Sequence, residues 1–467
     1  MSGKEKRTQV INGEPLTYKQ QAGLVIRLSI PAILAEISSI VMQYIDAAMV
    51  GSLGKNATAS IGLMSSTTWL VGGFCISVAM GFSVQTAQYI GAKDEKSAGS
   101  VLRQSLSVSL VSALLVTMIC IMISGKLPYW LGGAQEVCPD ASRYFFIYSC
   151  AIPAVQFRQL GGNMLQCSGD MKTPSMLNAL MCVFDVIFNY FLIFPERNME
   201  IWKWEISIPG AGMGVAGAAL GTALSEAVTA AFMLYMLCFR SEVLRVTKKG
   251  SWALDKNCLK KAVRISLPMA FEHGVVSGAQ IVSTKIVAPL GTVAVAANSL
   301  AVTAESLCYM PGYGVAAAAT TLVGQSIGAK KKDQARCFAR LSVMLGTLMM
   351  SAAAFLMYLG APQMFGMLTP DPAVRELGVK VLRIEAFAEP FFACSIVAAG
   401  ALRGAGDTLV PSIMNLLSMW GIRITMAAYL APRIGLTGVW TAMCVELSIR
   451  GILFLVRLFR EKWLECY

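Results

Sequence analysis

Two sets of polar residues stand inside otherwise apolar stretches of this chain. Glu36, Gln43 and Asp46 are spaced seven and three residues apart, and Asn178, Asp185 and Asn189 seven and four apart. At helical periodicity each set falls on one face of its own helix. If those faces meet, Asp46 and Asp185 share one pocket shielded from water. Two carboxylates so placed repel each other unless a proton or a metal cation lies between them. A hard monovalent cation takes oxygen ligands, and Asn178, Asn189 and Thr222 offer further oxygens beside the two acids. The chemistry is that of taking up and releasing H+ or Na+, with Asp46 and Asp185 as the metal ligands in the Na+ case. An ionisable side chain inside a membrane is costly enough to imply a task, and Glu36 falls under the same argument.

The elements that must position these residues are membrane-spanning helices. Of the 467 residues, 55% are hydrophobic and only 14% charged, where a soluble protein carries roughly a quarter charged residues. Mean hydropathy is +0.60. Long apolar runs, such as Val101–Gly125 and Leu341–Leu359, meet the length of roughly 20 residues that a helix needs to cross a bilayer. Lys and Arg gather at Lys93–Lys96, Arg240–Arg264, Lys330–Arg340 and Arg457–Lys462, while Lys55, Arg197, Lys203 and Arg433 stand nearly alone in the loops between them. Such alternation is the positive-inside pattern. It places both termini in the cytoplasm, requires an even number of crossings, and makes the net charge of +12 a signature of topology rather than of nucleic-acid binding. The residues up to Gln21 are polar and lack the apolar core of a cleavable signal peptide. Thirteen cysteines, among them Cys75, Cys120, Cys182 and Cys444, show no disulfide or zinc spacing and read as small buried hydrophobes.

The chain also repeats itself. Arg27-Leu28-Ser29-Ile30-Pro31 recurs as Arg264-Ile265-Ser266-Leu267-Pro268, an offset of 237 residues. The same offset carries Leu53-Gly54 onto Leu290-Gly291, Gln88 onto Gln325, Gly91-Ala92-Lys93 onto Gly328-Ala329-Lys330, Gly169-Asp170 onto Gly406-Asp407, and Asn178 onto Asn415. Register fails only beyond that point, where the first half is about 16 residues longer. The expected crossings lie at 23–50, 57–90, 98–124, 140–167, 173–195 and 212–239, then 261–289, 294–327, 336–360, 376–402, 410–431 and 435–460. The fold class is therefore all-α integral membrane, twelve transmembrane helices in two parallel pseudo-symmetric six-helix lobes. A cytoplasmic segment 1–22 precedes the lobe 23–239, a basic linker 240–260 joins it to the lobe 261–460, and a tail 461–467 follows. Parallel repeats about an axis along the membrane normal are a recurrent transporter plan, with the substrate cavity at their interface.

Several stretches resemble the multidrug and toxic compound extrusion (MATE) family. They are Asp46-Ala47-Ala48-Met49-Val50-Gly51-Ser52-Leu53-Gly54, Gly91-Ala92-Lys93 with Gly324-Gln325-Ser326-Ile327-Gly328-Ala329, and Arg403-Gly404-Ala405-Gly406-Asp407-Thr408 with Pro411. The resemblance spans essentially the whole chain. It implies a secondary active antiporter of the cell membrane, with no covalent chemistry and no cofactor, exporting organic, cationic amphipathic compounds in exchange for H+ or Na+. The cation site of the family's amino-terminal lobe uses acids that match Asp46 and Asp185. Where that family often has Asn four residues before the second acid this chain has Met181, and Asn189 lies one turn to the other side.

The second half lacks these acids, because Asp46 aligns with Ser283 and Asp185 with Ile422. Its own charges within apolar segments are Glu272, Lys285, Glu305, Glu385, Glu389, Arg423 and Glu446. Glu272, Glu305, Glu385 and Glu389 are candidate contacts for a cationic substrate, unless they pair with Arg423 or Lys285. Tyr44, Trp69 and Tyr309 offer ring faces to an organic cation. Asp170 and Asp407 stand where they could cap the following helices. His273 is the only histidine, which excludes histidine-based metal sites. No phosphate-cradling loop is present, so ATP is not the expected energy source. The expected partners are the bilayer and small organic molecules, with the chain acting as a monomer. A flippase for a lipid-linked saccharide and a passive channel are the competing readings.

Overall fold

The computed structural model describes residues 17–201, 204–241, 243–246 and 252–465, the side chains of 197–209 excepted. Most of the expected segment 1–22, together with Lys203 and part of the linker, lies outside the described residues. Among the described residues, twelve long helices form two six-helix lobes, with α10 counted as one. In the first lobe α1 is Tyr18–Gly51, α2 Lys55–Gly91, α3 Glu95–Ser124, α4 Cys138–Cys167, α5 Lys172–Ile193 and α6 Gly214–Arg240. In the second, α7 is Lys256–Val287, α8 Thr292–Gly328 and α9 Lys332–Leu368. Then α10 comes in two pieces, Pro372–Glu385 and Glu389–Gly404, followed by α11, Leu409–Ile434, and α12, Leu436–Phe459. A two-stranded antiparallel hairpin, Pro195–Ile201 with Trp204–Ala211, fills the extra length of the first half.

Among the described residues, nine of these helices are long and apolar enough to cross a membrane by length and composition. Of the remaining three, α10 is broken into pieces of 14 and 16 residues, and α4 and α7 carry polar and charged residues within their apolar runs. The charges among them turn into the protein: Glu272, Glu385 and Glu389 are buried and the Arg158 side chain is 16% exposed. The outward faces are apolar. Val111, Met118, Ile119 and Met122 of α3 and their repeat mates Leu348, Phe355, Leu356 and Leu359 of α9 are all exposed, one stripe on each lobe.

The repeat in sequence is also a repeat in backbone. Gly54 and Gly291 (φ 107° and 98°) precede α2 and α8, and Gly169 and Gly406 (87° and 88°) turn the chain into α5 and α11. Left-handed backbone favours glycine, yet in the Gly-Ala-Lys turns it is Lys93 and Lys330 that adopt it, at φ 60° and 58°. The glycines of those turns do something else. A Cβ on Gly91 would lie 1.9 Å from the Gln325 carbonyl oxygen, and one on Gly328 would lie 1.8 Å from that of Gln88. Only hydrogen at both positions lets α2 and α8 cross this closely.

Side chains from the same helices reinforce the crossing reciprocally. Gln88 Nε2 donates to the Gly404 carbonyl (3.4 Å) and its mate Gln325 to the Cys167 carbonyl (2.9 Å), each reaching into the opposite lobe. The first helix of each lobe behaves alike. Leu24 and Val25 of α1 are buried with Val315, Ala319 and Leu322 in the second lobe, while Cys258 and Ala262 of α7 join the first lobe's core. The lobes thus interlock at the end that carries the Lys93 and Lys330 clusters.

Of the two expected caps, Asp170 accepts from the Thr173 amide and hydroxyl. Asp407 instead forms an ion pair with Arg457 of α12, at 2.7 Å. In the turn before α3, Asp94 accepts from the Ser97 amide at 3.0 Å, and the Ser97 side chain and amide hold its carboxyl below the usual carboxylate range.

Candidate functional site

Within the first lobe, α1 and α5 pack side by side. Asp46 on α1 and Asp185 on α5 face each other across that seam. One amide joins them: Asn189 Nδ2 donates to Asp46 Oδ1 and to Asp185 Oδ2, each at 2.9 Å. The Ser225 hydroxyl of α6 lies 3.0 Å from Asp185 Oδ1. Asp185 is 0% and Asn189 1% exposed, whereas Asp46 is only partly buried. The Asn189 oxygen turns the other way, against Gly221, and has no hydrogen-bond partner. Tyr144 of α4 stands close enough to interact with both acids.

The other expected ligands lie elsewhere. The hydroxyl shown meeting Asp185 is that of Ser225, which also bonds the Thr222 carbonyl one turn earlier on α6. Asn178 is two turns from Asp185 and accepts from Arg158 Nη1 at 3.5 Å. Glu36 also stands within electrostatic reach of Arg158 rather than beside Asp46. Arg158, on α4, forms a close ion pair with Glu226 on α6. Arg158 and Glu226 escaped the sequence reading, although an unpaired Arg and Glu in two apolar segments was a visible signal. Ser225 and Tyr144 carried none, since neither residue type is unusual in a membrane helix.

Opening the Arg158–Glu226 pair leaves one buried charge uncompensated, at a cost of roughly 3–5 kcal/mol. We expect Arg158→Met and Glu226→Leu each to lower the melting temperature in detergent sharply, and the double variant to recover most of the loss. Equal destabilisation in the double variant would show that the charges themselves are needed.

The acids of the second lobe divide into two groups. Glu272 on α7 is ligated on both oxygens, by Arg403 Nη2 (2.9 Å), Ser412 Oγ (2.9 Å) and Asn415 Nδ2 (2.7 Å). Its partner is therefore Arg403, not Arg423 or Lys285, and Lys285 is exposed in the last turn of α7. Glu385 and Glu389 flank the break in α10 and are 0% exposed; Glu389 lies beside the Cys308 thiol, and among the described residues no N–H or O–H donor meets either carboxylate. Glu305 of α8 lies within electrostatic reach of Arg423 and Arg450. Glu446 is 3.2 Å from Arg450, whose guanidinium sits 5.4 Å from the centre of the Phe392 ring.

The aromatic candidates also separate. Tyr309 packs against Phe392, with ring centres 5.5 Å apart, inside the second lobe. Trp69 is 62% exposed on α2. The Tyr44 hydroxyl donates to the Thr303 carbonyl of α8 at 3.1 Å, bridging the lobes two residues from Asp46. On α1 those two residues face different neighbours, Asp46 toward α5 and Tyr44 toward α8.

A sequence model of the MatE family matches residues 31–191 and 268–429, one span in each lobe. The probable multidrug resistance protein NorM of Thermotoga maritima is 26% identical over 441 residues, covering 94% of this chain and 92% of that protein. The protein of the same name from Xanthomonas axonopodis pv. citri is 26% identical over 447 residues, covering 93% of each. Among solved structures, a MATE protein in complex with MaD3S matches with a TM-score of 0.87 at 21% identity, covering 98% of this chain and 99% of that one. A MOP superfamily transporter from Pyrococcus furiosus, described as having a binding pocket of reversed polarity, matches with a TM-score of 0.87 at 20% identity over 98% of both chains.

Proposed function

This chain belongs to the MatE family of transporters, which are not enzymes, and from that membership and the geometry of its first lobe we propose that it is an antiporter exporting organic, cationic amphipathic compounds in exchange for H+ or Na+. The observation that carries the reading is the single Asn189 amide bridging Asp46 and Asp185. Two carboxyls in contact away from water need a proton or a cation between them, and Asp46 belongs to a helix that also reaches the second lobe. Through α1, occupancy at Asp46 bears on the Tyr44–Thr303 bridge and so on how the lobes meet. Both lobes belong to one chain, which on this reading works as a monomer in the cytoplasmic membrane with the basic ends of its helices inward.

The orientation of Asn189 favours H+, because its nitrogen faces the acids and a shared proton completes the set. Na+ has its own supporting observation. The Asn189 oxygen is buried without a partner, and a half-turn of that amide would present it to a cation beside both carboxylates. For the substrate, Glu305 and Tyr309, four residues apart on one face of α8, supply an acid and a ring for a cationic amphipath. Glu272 already holds three donors, and Glu385 and Glu389 are fully buried.

The test is flux of ethidium in vesicles reconstituted with the purified chain, under an imposed proton gradient, an imposed Na+ gradient, or neither. Accumulation driven by only one gradient identifies the coupling ion. Downhill flux unchanged by either gradient marks a channel, and translocation of a lipid-linked saccharide without ethidium transport marks a flippase. Either result removes the antiport reading. Glu272→Gln is expected to retain gradient dependence; its loss there would move the coupling to the second lobe.

A further inference from the structure

At its end α6 widens into a π-helical turn, Met236–Arg240, and the chain then hooks back onto it. The Leu244 amide donates to Ser241 Oγ at 3.0 Å and the Val246 amide to the Cys238 carbonyl at 3.1 Å. Leu244 pins the hook, buried in the core with Met164, Met233 and Leu237. Arg240 and Arg245 are thereby left exposed on one short turn. With Tyr235, Phe239 and Ser241 they line a cavity of about 600 Å³. A groove of about 490 Å³ continues from the same Tyr235 and Phe239 along the outside of the bundle. Its walls are apolar side chains of α3, α4 and α6, chiefly Leu106, Leu110, Phe157, Ala231 and Leu234, with Trp252 alongside.

The two hollows differ in chemistry as the two ends of a lipid do. The groove lies on the surface that faces acyl chains. The cavity lies where α6 leaves the apolar layer, at a level marked by Tyr235, Phe239 and Trp252, the residue class that populates membrane interfaces. Among the described residues, neither hollow is lined by an acidic side chain. The sequence 240–255 carries Arg240, Arg245, Lys248 and Lys249 against Glu242 and Asp255, of which Glu242, Lys248 and Lys249 lie outside the described residues. Lipids along a smooth helix face exchange freely. A concave slot that opens on two guanidiniums holds one lipid in a chosen orientation, because arginine suits phosphate geometrically as well as electrostatically.

We propose that this groove is a binding site for an anionic phospholipid, one acyl chain lying along α3, α4 and α6 and the phosphate against Arg240 and Arg245. The bound lipid would sit where the first lobe hands the chain to the linker.

The test is native mass spectrometry of the full chain in detergent, titrated with phosphatidylglycerol or with phosphatidylcholine. Each arginine at the headgroup level is expected to contribute roughly a fivefold preference for the anionic lipid. Arg240→Gln with Arg245→Gln should bring the two lipids to parity at unchanged melting temperature. Should the double variant fold poorly, Arg245→Gln alone, on the exposed turn, should lose about fivefold. Ala231→Trp fills the groove without touching the charge and should weaken retention of both lipids. Equal binding of both lipids by the wild type, full preference in the arginine variants, or displacement of phosphatidylglycerol by millimolar inorganic phosphate would each overturn the proposal. Transport is not the readout, so the result stands apart from the antiport reading.

Discussion

Asp185→Asn and Asp46→Asn are expected to reach the membrane in wild-type amounts and to lose gradient-driven export. The substitution removes a titratable carboxyl and keeps its shape. In Asp185→Asn the Asn189 amide can still find an oxygen, and Ser225 can still donate, so folding has little reason to suffer. What disappears is the need for a cation between two acids. Coupling free energies between sites in one protein are about 1–3 kcal/mol, or roughly 5- to 150-fold, and a loss of that size in ethidium accumulation is the expected result. Downhill flux should survive, because the substitutions leave the packing of the two lobes unchanged. If both variants export normally against a gradient, the pair is structural and the engine lies elsewhere.

Gly328→Val carries the second large effect. A side chain there meets the Gln88 carbonyl oxygen, which is backbone and has no rotamer to change. Overpacking a tight contact costs about 1–3 kcal/mol, and here the cheapest relief is for α2 and α8 to part at the basic end. Parting also breaks the hydrogen bonds of Gln88 and Gln325 across the lobes. We expect a protein held open at that end, with export reduced to near background. In a variant retaining Cys167 as its only cysteine, an impermeant maleimide supplied from the basic side should label Cys167, which is 3% exposed in the parent. Gly91→Val, the repeat mate, should do the same. Unchanged labelling together with normal export would mean that the crossing does not close the transporter.

Much of this architecture was legible before any coordinates. Periodicity and hydropathy are local properties, so the helices begin and end close to their expected positions, Lys55–Gly91 against 57–90 for example. The largest difference is α9, which runs on to Leu368 rather than ending near 360. Its Pro362 sits within the helix, where neighbouring helices compensate for the missing amide. The offset of 237 residues became paired turns with nearly equal φ angles, since identical short sequences in equivalent surroundings solve the same backbone problem.

By itself the sequence determined the class of molecule, its duplication, and the helix faces on which Asp46 and Asp185 lie, because a face follows from spacing alone. Which faces touch was decided only in three dimensions. Asn178 and Glu36 share faces with the acids yet answer to Arg158, and Glu272 found Arg403, 131 residues away. Long charged side chains choose partners by distance through space, and the rotation of each helix against its neighbours sets that distance. The glycines at 91 and 328 show the same division: the sequence recorded that they recur, and only the crossing of α2 with α8 revealed what their missing side chains make room for.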